Sequence, residues 1–296
     1  MTNTRAMLVA APLNLALVLV PVLALGGCPP PPNGPRGGGG GGGGGGIGVN
    51  PDACGAINTN PVGRKLYSFL VASAELDRSS TELESSVHHA CVVMAGHLGV
   101  PTGGDTKQVC ENVANALNEN LKISVKSESH LVTRTTPAVC HTDVSFEAGV
   151  IADCEGHASA QPGFADASAE CRASASIRAT THTTCTPAKV EVVRENVTIV
   201  DDSKFQMAMA AINEGMPELL TAGKKLELAG EALGNWVATG ASLLRASGEL
   251  VGQLGEKGVC VGGQLAAVVG ASANIQARFS VSIEVSASVS ASAGAK

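Results

Sequence analysis

Cysteine and histidine carry most of the reactive chemistry in this chain, nine of the first and seven of the second among 296 residues. No two cysteines form a Cys-x-x-Cys pair, which disfavours zinc and thioredoxin-like chemistry. Four of them lie in one patterned stretch. Val144, Phe146, Ala148, Val150, Ala152 and Cys154 alternate with polar or small residues, and Ala167, Ala169, Cys171, Ala173, Ala175, Ile177 and Ala179 do the same. That is the period of a half-buried strand. Between the two runs sits Gln161-Pro162-Gly163-Phe164, in the order a tight turn prefers. A hairpin folded about Pro162-Gly163 sets Cys154 opposite Cys171 and, in the same register, Cys140 opposite Cys185. The register also opposes Glu147 to Arg178 and Asp153 to Arg172 on the outer face, and Phe146 to Ala179 on the inner one, as cross-strand energetics favour. Glu155 against Glu170 is discordant. The spacing therefore predicts strands near 140–160 and 165–186, clamped by two disulfides.

The histidines offer less. In that register Asp143 faces His182, with His141 on the same outer face, a set able to hold zinc or copper weakly. An exposed polar face explains it more simply, and no metal or other cofactor is expected. His88 and His89 are adjacent and point apart on a helix, while His97 falls at the edge of a helix seam. The chain has no His-Glu-x-x-His, Gly-x-Ser-x-Gly or Ser-x-x-Lys sequence. No catalytic residue stands out, and the reading is of a protein that is not an enzyme.

The start of the chain has its own logic. After Arg5, an apolar stretch runs from Ala6 to Leu25, interrupted by Pro12, Asn14 and Pro21. It ends in Leu25-Gly26-Gly27-Cys28, which resembles the lipobox of bacterial lipoprotein signal peptides. The resemblance implies that Cys28 receives diacylglycerol on its thiol, that residues 1–27 are removed, and that the new amine is acylated. Pro29 rather than Asp follows the cysteine, which in that family permits passage to the outer membrane. Residues 28–50 then read as a tether. Pro29 to Pro32 favour a short polyproline II segment. Glycine at every position from 37 to 46 makes a coil that spans ~15–20 Å. That run lacks the Lys and Ser/Thr of a phosphate-binding loop.

With Cys28 committed to lipid, eight cysteines remain, an even number that implies disulfides in an exported chain but allows on the order of a hundred pairings. Two helices narrow it. Leu66, Phe69, Ser73, Leu76, Ser80, Leu83, Val87, Ala90, Met94 and His97 recur at steps of three and four, predicting a helix over 64–98, about 50 Å long. Ile212, Met216, Leu219, Gly223, Leu226, Gly230, Leu233, Val237, Gly240 and Leu244 open a similar seam, predicting a helix over 204–257 with a kink or fresh first turn at Pro217. Gly223, Gly230 and Gly240 lie on that seam and would admit a close partner; the glycines are also where the helix could split. A shorter helix capped by Asp105 or Thr106 runs to about Asn120, and a helical hairpin through Gly99-Val100-Pro101 brings Cys110 near Cys91. Cys54 and Cys260 pair by elimination. Further strands are signalled at 121–125, 189–200 and 279–291, the last by alternating Phe279, Val281, Ile283, Val285, Ala287, Val289 and Ala291.

The sum is a single α+β domain over 51–296, with long amphipathic helices packed as a hairpin or bundle beside an elongated antiparallel sheet, stapled by disulfides. One Trp, one Tyr and five Phe leave the core short of large side chains and offer few stacking platforms for sugars or single-stranded nucleic acid. The net charge of −6 opposes a phosphate-backbone partner. The expected role is that of a lipid-anchored, non-catalytic structural or binding module of the cell envelope, with the membrane and an unidentified protein as partners. The alternative is a membrane-active, pore-forming protein, since long helices joined to a β-hairpin resemble in outline the helical pore-forming cytolysins with a β-tongue.

Overall fold

The computed structural model describes residues 49–125, 130–156, 167–195 and 198–294. Residues 1–48, including Cys28, the whole signal and all but the last two residues of the tether, and the Pro162-Gly163 turn lie outside the described residues. The fold is mostly helical with a small antiparallel β component. In chain order it runs α1 (Pro61–Leu98), α2 (Thr106–Ser124), β1 (His130–Thr136), β2 (Val139–His141), α3 (Val144–Glu155), α4 (Ala169–Thr181), β3 (Thr184–Thr186), β4 (Lys189–Glu195), α5 (Asp202–Arg245), α6 (Ser247–Leu254) and α7 (Glu256–Gly294).

The bundle is built on α1 and α5. Asn60 caps α1, its side-chain oxygen accepting from the Gly63 amide, and Gly99 closes it in the left-handed conformation. The predicted seam from Leu66 to Met94 is buried, with His97 at its edge. α5 runs antiparallel: Phe69 stacks on Trp236 near one end, and His97 meets Glu214 near the other. Pro217 sits inside α5, which is neither interrupted nor restarted there. The closest approach is at Gly215, where a Cβ would overlap the Met94 side chain and crowd the Ala90 carbonyl. Gly240 admits the Phe69 ring, but nothing approaches Gly223 or Gly230, so two of the three seam glycines do not serve close packing. α5 stops at Arg245 rather than at 257; Ala246 and Gly255 (φ 60°) separate it from α6 and α7.

α2 pairs with α1 through Cys91–Cys110. It is not the second arm of an antiparallel hairpin. The Thr106 hydroxyl lies against Glu84 and Cys110 against Cys91, so the loop 99–105 doubles back along α1 and α2 climbs beside it in the same direction. α7 climbs too, from Cys260 near Cys54 to Arg278 beside Asp77 and Ala293 beside Thr133.

Four strand predictions need correction. The stretches 140–160 and 165–186 are chiefly the helices α3 and α4, with only the short pair β2–β3 at their base. Asp143 caps α3 and Gly156 (φ 82°) ends it, while alanine favours helix over sheet. α4 is buried on most faces between α1, α3 and α5, and its small residues suit that crowding rather than a pleat. The mirror pairing about 162–163 holds nevertheless, since an antiparallel helical hairpin preserves it, and it extends outward along β2–β3 and β1–β4, from Val139↔Thr186 to His130↔Glu195. At 121–125 α2 continues to Ser124, leaving only Val125 bridged to Ile199. Residues 279–291 are helical, within α7. In place of an elongated sheet the described residues form two two-stranded ribbons.

The glycines of α5 give a direct test. Gly215→Ala should destabilise by ~1–3 kcal/mol, because a methyl group has no room against Met94 and Ala90. Gly223→Ala, in open space within the same helix, should stabilise by up to ~1 kcal/mol. Chemical denaturation of both variants checks the contrast; equal effects would contradict the packing.

Candidate functional site

The place where the chain enters the bundle is heavily cross-tied. The Asn50 amide donates to Gln264 Oε1 at 2.8 Å, and the Lys257 ammonium donates to the Ala56 carbonyl at 2.6 Å. Between these ties Cys54 bridges to Cys260. Ile57 is buried, and its carbonyl lies so close over Gly63 that no side chain fits there. The Tyr67 hydroxyl donates to Asp52 Oδ1 at 3.0 Å; this bond, reinforced by partial burial, raises the Tyr67 pKa. Residues 50–60, which have no regular structure of their own, are thus fastened to both α1 and α7. A pull on the preceding chain meets a covalent bond to α7 rather than a segment that can peel.

Among the described residues the remaining cysteines are all paired. Cys140 and Cys185 face each other across β2–β3, and Cys154 and Cys171 join α3 to α4. The would-be metal patch is dispersed. Asp143 serves as the α3 cap, and hydrogen bonds from the Ser145 hydroxyl and from the Phe146 and Ser145 amides hold its carboxyl below the usual range. His182 packs on the Phe146 ring and lies 3.9 Å from Glu75, whereas His141 is on β2. Among the described residues no three or more His, Cys, Asp or Glu side chains converge on a metal position. His89 and His97 instead bond Glu218 and Glu214 across the α1–α5 face.

Sequence reasoning missed the polar ties between helices. Arg178, expected opposite Glu147, bonds Glu75 at 3.1 Å and lies over the Phe146 ring. Glu155, expected against Glu170, reaches Lys65 at 3.2 Å and accepts from the Ser168 amide at 2.7 Å. Burial opposes ionisation of Glu155, but the bonds from Ser168 and the Lys65 charge outweigh it and lower its pKa. Arg278 reaches Asp77, Ser80 and Thr81 and lies 3.6 Å from Glu84, joining α7 to one face of α1. Two signals for this last tie are in the sequence: a lone arginine ending a long uncharged run, and partners at helical spacing.

A cleft of about 140 Å³ lies between α1, α4 and α5, lined in part by Ser79, Glu82, Thr180, Thr181 and Lys225. Ligand pockets are typically about 300 Å³ or more. The Thr180, Thr181 and Thr183 hydroxyls all donate back to the α4 backbone, so they are not free to converge on a guest. No family model, curated protein or solved structure matches the chain.

The Glu155 tie predicts a pH dependence. A carboxylate with a lowered folded-state pKa contributes stability above its unfolded pKa, near 4.3 for Glu, and loses it as pH falls through the folded value. The α3–α4 hairpin should therefore loosen from α1 below about pH 4. Glu155→Gln should be less stable than the parent at pH 6, with the difference shrinking towards pH 3. Thermal unfolding of both proteins across that range measures it, and a constant difference would contradict the assignment.

Proposed function

We propose that this chain is a lipid-anchored module of the bacterial cell envelope with a non-catalytic structural or binding role. One observation carries the reading: the eight cysteines after Cys28 close four bridges among themselves, leaving Cys28 as the single thiol available for lipid. Four bridges suit an oxidising compartment, and Leu25-Gly26-Gly27-Cys28 supplies a route to one. The clasp at Cys54–Cys260 fits the same reading, since it lies where a tether would load the folded part. Pro29 favours the outer membrane as the destination.

A second reading, a membrane-active protein, is favoured by α7, which is long and apolar enough to cross a membrane by length and composition. The hairpin does not support it as a tongue, because its body is helical and the β1–β4 ribbon carries Arg134, Lys189 and Glu191. Release of a trapped dye from liposomes by the purified protein would favour this second reading.

Replacing Cys28 with Ala should abolish incorporation of labelled palmitate and leave the precursor uncut. Processing of that variant to the parent mass would overturn the lipidation reading.

A further inference from the structure

The four bridges differ in how far solvent reaches them. Cys91, Cys110, Cys154 and Cys171 are buried, and Cys54 is buried beside a partly exposed Cys260. In Cys140–Cys185 both members are partly exposed, and their chain neighbours Val139, His141, Thr184 and Thr186 are all exposed. Neither of the two belongs to a hydrophobic cluster, whereas Cys54, Cys91 and Cys110 lie in the main core. Exchange begins when an external thiolate reaches a bridge sulfur, so access decides which disulfide opens first.

The strands around this bridge are held without it. The Thr142 and Thr183 hydroxyls are 3.1 Å apart, and the Thr186 hydroxyl donates to the Val139 carbonyl at 3.2 Å. On one side the Ala188 amide donates to Thr221 of α5, and the β1–β4 ladder continues. On the other, Arg178 ties α4 to Glu75 of α1. Two thiols freed here stay opposite each other and can reclose at high effective concentration. Cys54–Cys260, by contrast, fastens a segment with no regular structure across a separation of 206 residues. We propose that Cys140–Cys185 is a redox-exchangeable bridge, opened by a dithiol and closed again while the helical bundle stays folded. The dithiol's first thiolate bonds to one sulfur, the Sγ–Sγ bond breaks, and the other cysteine leaves as a thiolate that takes up a proton. The second thiol then displaces the bound cysteine, so two electrons and two protons pass to Cys140 and Cys185 and the reagent departs as a disulfide. The inference is independent of the lipid on Cys28.

Limited reduction of the full-length protein tests this. Dithiothreitol in native buffer, followed by acid quench, alkylation and peptide mapping, should label Cys140 and Cys185 about tenfold or more faster than any other bridged pair. While only that pair is open, the far-UV dichroism and the fluorescence of the buried Trp236 should keep their starting values. Glutathione disulfide, added after the reductant is removed, should restore the same pair. In concentrated guanidinium, where the fold no longer shields the other sulfurs, the preference should collapse. Release of another bridge first overturns the proposal, as does opening of Cys140–Cys185 only together with loss of the dichroism signal. Failure of the pair to re-form also overturns it. So does a preference that persists undiminished in guanidinium, because the fold is then not its source.

Discussion

The fold depends on helices coming close enough to share a core built from small side chains. With few aromatics, the buried area per residue is low, and long contact must replace bulk. α1 and α5 meet this by interlocking at Met94–Gly215 and at Phe69–Gly240. The one tryptophan lies buried between them, its Nε1 donating to the Ser73 hydroxyl, which in turn donates to the Phe69 carbonyl. That relay satisfies the indole without water and fixes the rotation of α5 against α1. α7 then adds a third long helix on the same terms, with its partly buried Asp77–Arg278 tie at mid-length. Such a pair is weak evidence of net stability, but breaking it would strand a charge, so it favours one register of α7 over others.

Much of this was legible because helical seams over 64–98 and in α5 are long and uncharged. The turns between them were harder. Nothing in Gly99-Val100-Pro101 distinguishes a tight reversal from a loop that doubles back, so the direction of α2 was misread although its bridge was not. The hairpin shows a different ambiguity. Alternation of Ala and Val with Ser and Ala has little contrast, and a helix packed on several sides needs small residues all round. The pairing about Pro162-Gly163 survived because it depends on equal distance from a turn, which antiparallel helices and antiparallel strands both respect.

The end of the chain makes the same point from one run of residues. Phe279, Val281, Ile283 and Val285 alternate, yet Ile283 is 48% exposed and Phe279 and Val285 are buried. Val261, Leu265, Val268, Ile275, Phe279, Ser282, Ser286, Val289 and Ala293 are also buried, at steps of three, four or seven. The helical period was present throughout, but two of its members are serines, which polarity alone assigns to the outside. Length decides such cases: a pattern that persists from Val261 to Ala293 is too long for a strand.

The bridges follow the thinness of the core. Residues 50–60 have no secondary structure, β2–β3 has three residue pairs, and α3–α4 has a separate small cluster around Val150, Ile151 and Ala175. Each receives one disulfide, and the fourth, Cys91–Cys110, holds the point where the chain reverses twice. The bridges also differ in reach. Cys154–Cys171 closes a separation of 17 residues, whereas Cys54–Cys260 closes 206 and removes the most freedom from the unfolded chain. In the chain-entropy account the difference grows only logarithmically, so the long bridge gains of order ~5 kcal/mol against ~3 for the short one. Its larger effect is topological. It joins the segment nearest the expected lipid to α7, so every element from α1 to α6 lies within a covalently closed loop, and a force applied at the tether passes through the bridge and cannot draw them out while it is intact.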